Sequence, residues 1–316
     1  MKRFLLIAFS AALLLLFATF AGAFFLLDEA LTPGHEHTHM PAWRLGKVVK
    51  NNPWMRSWAD SILLSGTIRD TFVTMQGGER HHALLLPAHE STSKKVALLV
   101  HGYLDNGMGM MHIAAIYHQM GYHVMLPDLH AHGQSQGQGI QMGWKERPDI
   151  RRWMAIADSL WRGNAPQTAM VLHGVSMGAA LVMGLSGQEL APYVKCIVED
   201  CGYTSVWDEL AHELKARYDL PPFPLLYAAS MLCKWRYGWS FQEASPARMV
   251  AKSRLPMLFI HGDKDTFVPF SMVKTLYRQK PYPKELWVTR GVTHAKSCQS
   301  YPRKYRKKVA AFVAKW

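Results

Sequence analysis

The stretch Ala169-Met170-Val171-Leu172-His173-Gly174-Val175-Ser176-Met177-Gly178-Ala179-Ala180-Leu181-Val182-Met183 decides how this chain is read. Its first five residues form an apolar run of the kind found in strands buried on both faces of a parallel sheet. Its last five favour a helix. Between them, Gly174-x-Ser176-x-Gly178 sets a serine on a sharp strand-to-helix turn. Such a turn strains the serine's backbone, and flanking glycines without a Cβ relieve the collisions it creates. It lifts the Ser176 hydroxyl clear of the sheet and points the amide of Met177, at the start of a helix, into the same space. The pentapeptide recurs by chance in other chains; the strand before it and the helix after it make it specific.

Outward from this turn, short β-rich runs alternate with amphipathic stretches. The strand expectations are Phe72 to Met75, His82 to Leu86, Val96 to Val100, His123 to Pro127, Ala169 to His173, Lys195 to Glu199, Pro256 to Ile260 and Glu285 to Thr289. Helical spacing is clear in Asp149 to Trp161, with Ile150, Trp153, Met154, Ala157 and Leu160 on one face. The alternation predicts an α/β fold: a mostly parallel central sheet of about eight strands with helices on both faces. Residues 203–245 break the pattern. They are rich in aromatics, carry Pro221-Pro222-Phe223-Pro224, and read as a helical lid inserted after the sixth strand, at the sheet edge where ligands bind.

Serine is a weak nucleophile, so a base oriented by an acid must lie within reach. Of 16 histidines, only His294 lies in a loop between the last strand and the last helix. Three acids compete to orient it: Asp263 and Asp265 in His261-Gly262-Asp263-Lys264-Asp265-Thr266-Phe267-Val268-Pro269, and Asp200 at the end of the sixth strand. His101-Gly102-Tyr103 ends an earlier strand, and His101 reads as shaping that loop more than as accepting a proton.

With these motifs, together with Asp128 to Ser135 and Glu199-Asp200-Cys201-Gly202-Tyr203-Thr204-Ser205, residues 68–316 resemble the α/β-hydrolase superfamily, and within it the membrane-anchored or cell-surface serine hydrolases of bacteria. The resemblance implies Ser176 as nucleophile, Asp265 as acid in preference to Asp263 and Asp200, and His294 as base. It also implies an oxyanion hole made by the backbone amides of Tyr103 and Met177, with His101, Gly102, Gly174 and Gly178 as supporting residues. There is one departure. Superfamily members often read D-x-R-G-H-G-x-S, whereas His130 and Ala131 stand here in place of Arg and Gly.

Phe4 to Leu27 is a run of 24 residues broken only by Ser10, Thr19 and Gly22, with Lys2 and Arg3 before it and Asp28 and Glu29 after it. It is long enough to span a bilayer, with the charge bias of an amino end inside. The expectation is a transmembrane anchor over residues 1–30; Ala21-Gly22-Ala23 keeps a cleaved signal peptide as the alternative. Either exports the catalytic portion, to the outer face of the bacterial membrane or, after cleavage, to the periplasm or medium. Residues 31–67 read as a linker and lead-in segment. Its His35, His37 and His39 could hold a metal but belong to a solvated run, so no metal site is assigned.

Composition excludes other classes. With 49% hydrophobic and 19% charged residues the chain is not intrinsically disordered. Its +13 net charge draws on seven basic residues after position 295, where no acid occurs. The densest part of that run overlaps Val309, Phe312, Val313 and Trp316, apolar at helical spacing, so the end of the chain reads as the last helix of the fold and nucleic acid is not an expected partner. Cys196, Cys201, Cys233 and Cys298 form no C-x-x-C pair and read as core thiols, with one bridge open as the alternative for an exported domain. The expected activity is a cofactor-free serine hydrolase acting on a small-molecule or lipidic ester. Met108, Met110, Met111 and Met177 line either an acyl pocket or a packed core. A prolyl-type or aminopeptidase-type serine peptidase is the alternative, with Glu209, Glu213 or Glu243 holding a substrate ammonium. A non-catalytic binding protein on the same fold is the third reading. Oligomeric state is not legible.

Overall fold

The computed structural model describes residues 1–33 and 41–316, so His35, His37 and His39 lie outside the described residues. Eight strands form one sheet: β1 (Arg69–Thr74), β2 (Arg80–Leu86), β3 (Lys95–Val100), β4 (His123–Pro127), β5 (Ala169–Val175), β6 (Val194–Asp200), β7 (Met257–Gly262) and β8 (Lys284–Thr289). Each coincides with a strand read from the sequence, its ends moved by at most three residues. Their order is β1-β2-β4-β3-β5-β6-β7-β8. β2 runs antiparallel to β1 and β4, and every other pairing is parallel. Continuous apolar runs become strands covered on both faces: β4 and β7 are buried throughout.

The helices are α1 (Lys2–Leu31), α2 (Pro41–Asn51), α3 (Arg56–Leu64), α4 (Met111–Gln119), α5 (Arg147–Trp161), α6 (Met177–Ser186), α7 (Val206–Tyr218), α8 (Leu225–Tyr237), α9 (Pro246–Val250), α10 (Phe270–Gln279), α11 (Ser297–Ser300) and α12 (Pro302–Val313). They fall into two compact units.

The larger unit, residues 33–204 and 246–316, contains the sheet with helices on both faces. Its core joins Leu99, Val124, Val171, Val198 and Ile260 of the strands to Ile113 and Ile116 of α4 and to Val309, Phe312 and Val313 of α12. Three expectations change here. Much of the segment read as linker is helical: Leu45, Val48, Met55, Trp58 and Ile62 enter the core, and the Trp58 indole N–H donates to His118 Nδ1 at 3.1 Å. On α5, Leu160 is exposed and Trp161 is buried in its stead. Trp316 lies beyond the end of α12 and is half-exposed. The methionine question resolves towards packing, since Met108, Met110 and Met111 belong to the core.

The smaller unit, residues 1–32 and 205–245, pairs α1 with the helical insert between β6 and α9. The Ser205 hydroxyl caps α7 by accepting from the Asp208 amide, and α7 and α8 each end on a left-handed residue, Asp219 and Gly238. Ala23, Leu27 and Leu31, at four-residue steps, are the buried face of α1, which packs on α8. From Phe4 to Phe17 the helix's large apolar side chains are exposed.

Candidate active site

Ser176 sits between the end of β5 and α6 with φ 57° and ψ −120°, a conformation in which non-glycine residues are rare. A hydrogen bond from its amide to the Asp200 carbonyl (2.8 Å) ties the turn to β6. The flanking glycines serve close approach, since neither has a positive φ. A Cβ on Gly178 would strike the carbonyls of Val100 and His101, and one on Gly174 would strike the backbone of Gly178. Their absence lets α6 start hard against the ends of β3 and β5, while Ser176 itself takes the strained φ.

All three residues expected to cooperate follow the carboxyl ends of parallel strands: Ser176 after β5, Asp265 after β7 and His294 after β8. Sheet order brings them together. His294 Nε2 lies 2.8 Å from Ser176 Oγ, and His294 Nδ1 lies 2.7 Å from Asp265 Oδ2. Asp265 Oδ1 accepts from the amides of Phe267 (3.0 Å) and Val268 (2.9 Å). Burial raises the Asp265 pKa, but hydrogen bonds from His261 and His294 outweigh it and hold the carboxyl down at about 2. It therefore stays ionised beside His294.

The rival acids are used elsewhere. Asp263 Oδ1 accepts from the Gly291 amide at 2.6 Å. Asp200 Oδ2 accepts from the Tyr305 hydroxyl at 2.9 Å, at one end of a buried chain through His173 to Tyr117. Burial pushes Asp200 up to about 6 and His173 down to about 3, so His173 is neutral at pH 7 and the burial works against charge on both groups.

Gly102 brings the backbone next to Ser176: a Cβ on it would lie 3.2 Å from the Ser176 Cβ. Met177 opens α6, where amides lack intrahelical acceptors. His101 braces this segment, its Nε2 accepting from the Leu129 amide at 3.0 Å, which leaves Nδ1 to donate to the Gly102 carbonyl at 2.8 Å. From the loop after β4, His132 Nε2 accepts from the Leu104 amide (3.3 Å), and Asp128 accepts from the amides of Gly107 (2.7 Å) and Gln134 (2.8 Å). Sequence reasoning missed two neighbours. His261 Nε2 lies 3.4 Å from Asp265 Oδ2, and the Cys201 sulfur falls within 4.8 Å of the Asp265 and His294 ligand atoms. Only the packing of β6 against β7 reveals them. All four cysteines are free and buried.

An uncharacterized protein of Bacillus subtilis (strain 168), YqkD, is 30% identical over 217 residues, spanning 68% of this chain and 70% of that protein. Residues 91–216 match the family described as Serine aminopeptidase, S33. The chain belongs to the α/β-hydrolase superfamily. It is a serine hydrolase. Two solved structures share the fold at low identity. The Pyrococcus furiosus esterase Pf2001 aligns with a TM-score of 0.62 at 22% identity, over 79% of this chain and 92% of its own. A Mycobacterium tuberculosis puromycin-hydrolyzing peptidase aligns with a TM-score of 0.59 at 17% identity, over 78% of this chain and 39% of its own.

Proposed function

We propose that this hydrolase is a membrane-anchored carboxylesterase or lipase-like acylhydrolase, with Ser176 as nucleophile, His294 as general base and Asp265 as the acid that orients it. The observation that carries the reading is the continuous relay from Ser176 Oγ through His294 to Asp265 on a strained strand-to-helix turn. Ser176 Oγ attacks the acyl carbonyl while its proton passes to His294 Nε2. Asp265 keeps Nδ1–H pointed at itself and steadies the imidazolium. The amides of Tyr103 and Met177 receive the oxyanion, each worth about 3 kcal/mol in related chemistry. His294 returns the proton to the leaving alkoxide, and water hydrolyses the acyl-enzyme by the same relay. A fluorophosphonate probe is expected to label the wild-type chain and not Ser176→Ala; equal labelling of both would remove Ser176 as nucleophile.

An ester is favoured over a peptide with a free amino end because two of the acids suited to hold an ammonium are already paired within the insert. Glu213 accepts from Arg217 at 2.6 Å and Glu243 from Lys234 at 2.7 Å. Faster turnover of aminoacyl anilides than of p-nitrophenyl acyl esters would reverse this choice.

The membrane reading draws on the smaller unit. Gly22 faces Leu225, Asp28 pairs with Arg236 at 3.9 Å, and the Tyr218 hydroxyl donates to Glu29 at 2.6 Å. The insert thus holds α1 at Gly22 and again at Asp28 and Glu29, past Ala21-Gly22-Ala23, which suits an anchor that stays attached. From Gly22 to Asp28 the helix rises about 9 Å, comparable with a headgroup layer of about 5–7 Å. If Phe4 to Ala23 cross the hydrocarbon, α8 lies at headgroup level. There its exposed Tyr227, Met231 and Trp235, with Phe223 just before it, follow one another at four-residue steps. Aromatic side chains favour that layer, and a hydrolase held there meets amphiphilic esters. Amino-terminal sequencing of membrane-fraction protein tests the anchor: a mature chain beginning at Phe24 would refute it.

A further inference from the structure

A second group of chemistry-bearing side chains occupies the larger unit, built from residues that the hydrolytic relay does not use. Glu79 lies in the turn between β1 and β2, His81 in β2, His130 in the loop after β4 and Asp149 in the first turn of α5. Ligand atoms of Glu79, His81 and His130 all fall within 4.8 Å of one another. His130 Nδ1 is 3.7 Å from Glu79 Oε2, and His81 Nδ1 is 3.7 Å from Asp149 Oδ2. Both separations are too long for hydrogen bonds. They are close to the spacing of about 3.4 Å between two ligands of one tetrahedral ion with bonds near 2.1 Å.

The most telling member is His81. Its side chain is 1% exposed, and among the described residues neither ring nitrogen has a hydrogen-bond partner. Buried polar groups are nearly always satisfied, so an imidazole with both nitrogens orphaned needs a partner. Its neighbours in sequence are firmly held. The Arg80 amide donates to Gln136 Oε1 at 2.7 Å, the Gln136 amide to the Arg80 carbonyl at 3.0 Å, and the His82 amide to Ser135 Oγ at 2.9 Å. These bonds clamp the loop carrying His130 onto β2 on either side of His81. Gly137 completes the cradle, because a Cβ there would lie 2.6 Å from the His130 ring. Glu79 and His130 keep partial exposure, which leaves an entry path.

We propose that Glu79, His81, His130 and Asp149 bind a divalent transition ion of the zinc type, at a site separate from Ser176. Two imidazoles with two carboxylates match the borderline preference of zinc and exclude neither cobalt nor nickel as probes. The ion would tie the β1–β2 turn, the loop after β4 and the start of α5 together.

The test uses the full-length protein in detergent, without a polyhistidine tag, stripped by a chelator and dialysed. Cobalt(II) is titrated by visible absorption, and zinc by competition against it. Wild type is expected to bind one equivalent of cobalt with tetrahedral-type bands, to be displaced by zinc, and to melt at a higher temperature with zinc present. His81→Gln and His130→Arg should each weaken zinc by about 100-fold or more, since even losing a partner of a ligand costs 10–100-fold. His130→Arg, whose guanidinium can meet Glu79 and Asp149, should stay folded by circular dichroism and become insensitive to zinc. A combined His35→Ala, His37→Ala, His39→Ala variant should bind as wild type does. Absence of the cobalt bands in wild type, or binding that survives His81→Gln and His130→Arg, or binding lost in the triple variant, would overturn the proposal.

Discussion

Replacing Asp265 by Asn tests the proposed relay more sharply than removing the nucleophile, because the structure dictates which way the new amide must face. Asp265 Oδ1 accepts from two backbone amides, those of Phe267 and Val268. The Asn oxygen must take that position, since an NH2 there would oppose two donors and leave both amides unsatisfied. The NH2 then occupies the Oδ2 position, 2.7 Å from His294 Nδ1 and 3.4 Å from His261 Nε2. A donor facing Nδ1 selects the tautomer protonated on Nε2, the nitrogen 2.8 Å from Ser176 Oγ. The imidazole can no longer accept the serine proton, and the imidazolium loses its counter-charge. The same inversion in serine-protease triads costs about 10⁴ in kcat, or about 5.5 kcal/mol of transition-state stabilisation. We expect a loss of that order for p-nitrophenyl acetate at neutral pH, with KM little changed and the far-ultraviolet circular dichroism preserved. Asp263→Asn, which disturbs only the bond from the Gly291 amide, should leave kcat within about tenfold of wild type, as it touches no member of the relay. If Asp265→Asn keeps more than about a tenth of wild-type kcat, or Asp263→Asn is the more damaging, the tautomer argument fails.

Two further predictions address stability and the membrane. Glu146 is fully buried, its Oε1 accepts from the Gln141 amide, Oε2 has no hydrogen-bond partner among the described residues, and burial pushes the carboxyl up to about 7. Its folded value lies above its unfolded one, so its contribution is complete below about pH 4.5 and is lost as pH rises through 7. Glu146→Gln imitates the protonated acid, so its melting temperature relative to wild type should rise between pH 5 and 7 and then level off; a gap that narrows would contradict the assignment. Met231→Cys carrying an environment-sensitive fluorophore should show blue-shifted emission in nanodiscs and lipid-dependent quenching, with Leu14→Cys reporting whether α1 itself is in hydrocarbon. A water-like signal at position 231 alongside a lipid-like one at 14 would keep the anchor and reject the interfacial position of α8.

Much of the sheet was legible because strands covered on both faces must be apolar without interruption, and β3, β4, β5 and β7 leave that imprint in short windows. The helices of residues 41–64 were not. Their apolar residues are interspersed with Lys, Arg, Asn and Ser beside a polar histidine string, and they are helical because Leu45, Met55 and Trp58 find a core to enter. Leu160 was misplaced on α5 for a related reason: periodicity gives an angular stripe, while the neighbouring elements decide that Trp161 falls inside it. The quartet of Glu79, His81, His130 and Asp149 left no local signature beyond Glu79 and His81 standing two residues apart, since its members come from three separate segments.

By itself the sequence determined what local chemistry can encode: a parallel α/β sheet, a serine on a strand-to-helix turn, a histidine in the last loop, and an apolar segment long enough to cross a bilayer. Which carboxylate meets that histidine, what α1 packs against, and where the second histidine group assembles were decided by tertiary structure. The physical reason is range. Backbone preference and hydrophobic period act over a few residues, whereas His294 reaches Ser176 across 118 residues and Asp265 across 29, through the order and register of β5, β6, β7 and β8.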